Sequence, residues 1–241
     1  MTPEIRVLAD LEAISREAAR RLTDLARDAV RQRGTCAIAL AGGSTPRRLY
    51  QLLASDAHRA AVPWDAIAWF WSDERCVPPE HAQSNYRLAF DTLLGPAGVS
   101  AERVHRIAGE ASPPARAALD YEATLRHAVL DGVLDVVLLG VGADGHTASL
   151  FPGSPALAER ERWVVATEAV GPHAIRERIT MTYPLLDRAR GLFVLASGEA
   201  KHDVVSAVMK DPVTAARRYP VARLAPAGHL TWFVDRAATK P

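Results

Sequence analysis

Between Leu11 and Arg33 the apolar residues Leu11, Ile14, Ala18, Leu22, Leu25 and Ala29 recur every three or four positions among charged neighbours. That spacing predicts one long amphipathic helix. Gly34 closes it, as glycine does just past a last helical turn. Cys36 to Ala41 is then an unbroken apolar run of strand length. Gly42, Gly43, Ser44, Thr45 and Pro46 follow, and a helical pattern resumes from Arg47 to Ala54. Ser44 or Thr45 is placed to cap that helix, and Pro46 suits its first turn. The same grammar recurs. Ile67–Trp71 predicts a strand running into Ser72–Arg75, with a helix over 84–94. Residues 115–130 predict a helix and Leu134–Leu139 a near-continuous apolar strand. Gly140–Gly145 is a second glycine loop, with a short helix expected from His146. Strands are expected at 163–167, 179–182, 192–196 and 230–234, and a helix at 199–209. Such alternation predicts an α/β fold, with a largely parallel sheet flanked by helices on both faces. Nothing reads as a linker, repeat or low-complexity tract, so residues 1–241 are expected to form a single domain.

Composition narrows the class without changing the picture. The chain has 241 residues, 49% hydrophobic and 24% charged, with 15 glycines and 16 prolines. These are values of a globular protein, not of a disordered, collagenous or disulfide-stapled one. Cys36 and Cys76 are too few for a disulfide framework, which fits a reducing compartment. The first ten residues carry Glu4, Arg6 and Asp10 and read as no signal peptide. No run of 18 apolar residues exists, so no membrane contact and a cytoplasmic location are expected. The net charge of +1, from 29 basic and 28 acidic residues, argues against nucleic-acid binding by bulk charge. A small positive pocket remains open. Only Lys201, Lys210 and Lys240 are lysines; every other basic residue is an arginine.

The chemistry is expected where strands end. In open parallel sheets ligands bind beyond the carboxyl ends of the strands, and Gly42–Thr45, Ser72–Arg75, Gly140–His146 and Ser197–Lys201 all fall there. The Gly42-Gly43-Ser44-Thr45 loop reads equally as a phosphate cradle of backbone N–H groups and hydroxyls or as a tight capped turn. It is no P-loop, lacking the glycine–lysine–serine/threonine ending. Gly140-Val-Gly142-Ala-Asp144-Gly145 matches a dinucleotide-binding pattern. Its place late in the chain and its crowding by Asp144 and His146 argue against that reading. His146 has the chemistry of a general base near neutral pH; Asp144 can fix its tautomer or cap the following helix. Ser72-Asp73-Glu74-Arg75 reads as a charged surface loop or as a substrate-binding segment with Arg75 facing an oxyanion. Cys76 reads as a nucleophile or as a merely buried thiol. Arg176, Arg178 and Lys201 are candidate phosphate partners or surface cations. No metal-ligand spacing is present.

Taken together, Leu40–Pro46, Ser72–Val77 with Ser84-Asn85-Tyr86, Gly140–Pro152, Arg178–Thr182 and Leu230–Asp235 resemble the motif set of bacterial-type 6-phosphogluconolactonases. Asp144-Gly-His-Thr-Ala-Ser-Leu-Phe-Pro152 is its most specific string. The resemblance implies a sugar-phosphate isomerase-like, modified Rossmann fold shared with glucosamine-6-phosphate deaminases. It implies hydrolysis of 6-phospho-D-glucono-1,5-lactone, the second step of the oxidative pentose phosphate pathway, with no metal and no organic cofactor. It places His146, with Asp144 and Arg75, in the chemistry. It gives Gly42, Gly43, Ser44, Thr45, Asp73, Arg178 and Lys201 to the substrate. The small-molecule lactone is the expected partner, and the expected state is a monomer or small homo-oligomer. Two rivals remain. A sugar-phosphate deaminase or isomerase would carry a carboxylate after the histidine loop, where this chain has Ser149-Leu-Phe-Pro-Gly153. A sugar-phosphate sensor would carry a DNA-binding helix-turn-helix, where residues before the first expected strand read as one helix.

Overall fold

The computed structural model describes residues 3–240. Six strands build the main sheet: β1 (Glu4–Leu8), β2 (Cys36–Leu40), β3 (Ile67–Trp71), β5 (Val136–Gly140), β8 (Gly191–Ala196) and β9 (His229–Asp235). They lie in the order β1-β9-β8-β5-β2-β3. Every pairing is parallel. The apolar runs explain this: all five residues of β2 and of β3 and all six of β8 are buried, as strands covered on both faces must be. β1 went unread in the sequence, so the chain enters the sheet before its first helix.

Helix α1 spans Leu11–Arg33. The Asp10 side chain accepts from the N–H of Ala13 at 2.9 Å, and Gly34 closes the other end at φ +77°. Ile14, Ala18, Leu22, Ala26 and Ala29 are the buried stripe. Helix α2 (Thr45–Ala54) has Ser44 at its cap position, but no side-chain hydrogen bond caps it. The helix expected over 84–94 is split into α3 (Asn85–Ala89) and a wider π turn over Phe90–Leu94. Pro96, two residues on, has no N–H to return to the Thr92 carbonyl, so the regular ladder cannot continue there. Helix α4 is Pro114–Ala128, and α5 is His202–Lys210 after a tight turn at Glu199–Lys201.

Two buried tyrosines secure the strand ends that lead to the cleft. The Tyr50 hydroxyl donates to the Ala41 carbonyl at 2.6 Å and accepts from its N–H at 2.9 Å. The Tyr121 hydroxyl does the same for Trp71, at 3.0 and 2.8 Å. Each phenol satisfies a backbone pair that would otherwise be stranded.

A second sheet was not foreseen. Asp73–Arg75, read as a loop, is strand β4. It pairs antiparallel with β7 (Glu177–Met181), which pairs with β6 (Val164–Glu168). The strands expected at 163–167 and 179–182 therefore exist, but they belong here. The short helix expected from His146 does not form. Gly145 turns at φ +80° and Ala148 at φ +48°, conformations no right-handed helix contains. The N–H of Leu150 returns to the Thr147 carbonyl at 2.9 Å, and the loop closes on itself. Among the described residues, no helix is long and apolar enough to cross a membrane.

Candidate active site

Because β2, β3, β5 and β8 run parallel, Leu40, Trp71, Gly140 and Ala196 end at one edge. The four segments singled out in the sequence meet there around a cleft of about 260 Å³. Gly42, Gly43, Ser44, Thr45, Asp73, Arg75, His146 and Lys201 all line it, with Asn85, Gly142, Ala148 and Ser197. Asp144 stands behind His146. Arg178 stands behind the wall, 5% exposed, beside Arg75. Arg176 points elsewhere and pairs with Glu168 at 2.9 Å.

The Asp144–His146 pair is the most ordered acid–base feature. Asp144 Oδ1 lies 2.6 Å from His146 Nδ1 and also accepts from the His146 backbone N–H at 3.2 Å. Burial raises the Asp144 pKa, but these hydrogen bonds outweigh it and hold the carboxyl below its usual range. The ionised carboxylate makes Nδ1 the protonated nitrogen and leaves the Nε2 lone pair free. Gly142 makes the pair possible. A Cβ there would lie 2.2 Å from His146 Nδ1 and 2.3 Å from Asp144 Oδ1. Asp144 is thus an orienting partner of His146, and no helix follows for it to cap.

Charge is arranged against itself. Arg75 and Arg178 are directly opposite in the β4–β7 register, so their side chains share one face. Among the described residues neither forms an ion pair, and the same holds for Lys201. The Arg75 Nη1 donates to the Gln83 carbonyl at 2.6 Å, and the Arg178 Nη1 to the Glu177 carbonyl at 3.1 Å. Burial, then the Arg75 charge, lowers the Arg178 pKa. Burial also lowers that of Lys201, opposed by Asp144. Like charges held together with no ion pair among the described residues destabilise the free protein and are relieved by a bound anion. The Gly42–Thr45 loop faces the same space, with Gly43 at φ +92°.

The remaining acid of β4 is structural. The buried Glu74 carboxylate accepts from the backbone N–H groups of Arg75, Asn85 and Tyr86 at 2.7–2.8 Å, and from the Ser84 hydroxyl at 3.0 Å. Burial nonetheless pushes its pKa up. Cys76 is half-buried, and burial pushes its thiol up to about 11, so it is a poor nucleophile. Sequence reasoning missed three residues. Phe151 lies 4.4 Å from the His146 ring, centroid to centroid, and His173 meets Phe151 at 5.3 Å and His146 at 6.3 Å, edge-on. His173 gave no signal, being a lone histidine in a loop. Asn85, quoted only within a motif, is 1% exposed and donates to Asp73.

Comparison with known proteins gives a consistent result. The model of a family described as glucosamine-6-phosphate isomerases/6-phosphogluconolactonase matches residues 9–232. The 6-phosphogluconolactonase of Synechocystis sp. is 35% identical, over 99% of this chain and 98% of that protein. The solved 6-phosphogluconolactonase of Trypanosoma brucei is 29% identical, with a TM-score of 0.85, and 98% of this chain and 97% of that one are covered. A monomeric glucosamine-6-phosphate deaminase superposes with a TM-score of 0.82 at 19% identity, covering 98% of each chain, which shows a shared fold.

Proposed function

The chain belongs to the glucosamine-6-phosphate isomerase/6-phosphogluconolactonase family, and on that premise we propose that it is a 6-phosphogluconolactonase. It hydrolyses 6-phospho-D-glucono-1,5-lactone to 6-phospho-D-gluconate, the second step of the oxidative pentose phosphate pathway. The observation that carries this reading is one cleft holding an oriented imidazole with Arg75 and Lys201 in its lining and Arg178 just behind it, none of the three in an ion pair among the described residues.

His146 Nε2 takes a proton from water as the water oxygen attacks the lactone carbonyl. The carbonyl π electrons move onto oxygen, and Arg75 stabilises the oxyanion. Among the described residues its Nη2 donates to nothing. Collapse breaks the bond between the carbonyl carbon and the ring oxygen, and the imidazolium returns its proton to that oxygen. The new carboxylic acid ionises, so each turnover releases one proton. Asp144 holds the imidazole in register and stabilises its cation. The phosphate lies on the Gly42–Thr45 loop, with Arg178 and Lys201 neutralising it. A lactone already hydrolyses in water, so no covalent nucleophile is needed. General-base and oxyanion contributions together supply about 5–9 kcal/mol.

A deaminase reading is weaker. Residues 149–153 bring no carboxylate to His146, and the ammonia-releasing relative shares the fold alone. A sensor reading is weaker too, because Glu4–Leu8 is a sheet strand and α1 packs on the sheet. Proton release is followed after adding freshly made 6-phosphogluconolactone, with chelator present. Ammonia is assayed in parallel with glucosamine 6-phosphate. Acceleration of the first and silence of the second are expected. No acceleration over the spontaneous rate, or ammonia release, overturns the reading.

A further inference from the structure

One wall of the cleft is built of acceptors rather than cations. The Asn85 side chain caps no helix, yet its placement is highly determined. Its Nδ2 donates to the Asp73 carbonyl at 2.9 Å and to Asp73 Oδ1 at 3.1 Å. Both atoms facing that nitrogen are acceptors, which fixes the sense of the amide. The other end of the amide presses on the phosphate loop: a Cβ at Gly42 would lie 1.8 Å from Asn85 Oδ1. The Nδ2 is therefore engaged inside the protein, on Asp73. Among the described residues Oδ1 accepts nothing, and the side chain lines the cleft. Asp73 continues the same wall. Its Oδ1 takes the Asn85 proton, and its Oδ2 takes the Ser149 hydroxyl at 2.7 Å. It is buried and forms no ion pair among the described residues.

We propose that Asn85 and Asp73 form a hydroxyl-reading wall, in which the Asn85 Oδ1 accepts from a ring hydroxyl of the substrate. This rests on the lactonase reading and adds to it the source of sugar specificity. A wall offering only acceptors, one of them a carboxylate, repels phosphate and attracts hydroxyl donors. It therefore also helps set which end of the substrate enters toward Arg178 and Lys201 and which toward His146 and Arg75. A site built to pair a hydroxyl rejects the analogue lacking it, because its acceptor is then left unpaired in the closed complex. Asn85 is a specificity residue here, not a participant in bond making.

The test compares 6-phosphogluconolactone with its 2-, 3- and 4-deoxy analogues in the wild type, Asn85→Ala and Asn85→Ser. Wild type is expected to lose tenfold or more in kcat/KM on at least one analogue. At that same carbon the loss shrinks to threefold or less in the Asn85 variants, while the other ratios stay. The serine variant, whose hydroxyl can still meet Asp73, covers the case in which alanine unfolds the segment. A wild type indifferent to every deoxy position overturns the inference. So does a variant that lowers all four substrates by one factor, since Asn85 would then merely prop the loop. Failure of the wild type on 6-phosphogluconolactone itself would instead overturn the lactonase reading, and this inference with it.

Discussion

At the scale of single residues, the cleft depends on side chains that must be absent as much as on those present. Gly142 has no Cβ because His146 and Asp144 occupy its place. Gly142→Ala therefore drives the pair apart. It is expected to lower kcat by about a hundredfold, the order of one general-base contribution, with the circular dichroism spectrum unchanged. Unchanged turnover would show that the pair is not needed. Lys201 gives a pH signature. Burial lowers its pKa from the ordinary lysine value, so its charge is lost earlier as pH rises. Affinity for 6-phosphogluconate, a stable product, should fall on the alkaline side, below the pH at which a free lysine titrates. Lys201→Arg should remove that fall, because the guanidinium stays charged, and Lys201→Ala should weaken binding at all pH. A titration in which arginine and lysine behave alike would remove Lys201 from the phosphate site. The glycine loops, His146 with Asp144, and Lys201 were legible because each stands out against its local sequence. His173 was not, since contact with Phe151 and His146 spans more than 20 residues of chain and leaves no periodic trace.

At the scale of elements, β4 is where sequence logic and structure part. Asp73-Glu74-Arg75 has the composition of a solvated loop, yet Asp73 and Glu74 are buried and paired with β7. The reason is tertiary. Glu74 receives four hydrogen bonds from its own strand and from the start of α3, which offset part of the cost of its burial. Glu74→Ala should cost about 3 kcal/mol of unfolding free energy, since several buried donors lose their partner at once. Denaturant unfolding with an unchanged m-value measures it, and a loss under 1 kcal/mol would contradict this role. The failed helix at His146 has a local cause: turns through Gly145 and Ala148 in left-handed conformations make a loop that presents the imidazole. Helix α1, by contrast, was legible in its bounds, because its apolar spacing and Gly34 act within the segment.

At the scale of the whole molecule, the parallel sheet follows from doubly buried apolar strands, but their order does not. Nothing in 36–40 or 67–71 says that β2 lies between β5 and β3, nor that β6 and β7 leave the main sheet with β4. Those pairings are set by which surfaces must be covered together. Their consequence is functional. The order brings four strand ends to one edge, and the second sheet sets Arg75 against Arg178 at its rim. A chain of net charge +1 thus concentrates cations in one place without becoming a polycation. His146 as the base in that place is the centre of the proposed catalysis. The direct measurement is proton release from fresh 6-phosphogluconolactone by the wild type and by His146→Ala, each corrected for spontaneous hydrolysis and checked for a native thermal transition. A hundredfold or greater loss of kcat is expected in the variant, with affinity for 6-phosphogluconate retained within a few-fold; a folded His146→Ala enzyme hydrolysing the lactone at the wild-type rate would remove His146 from the role of base.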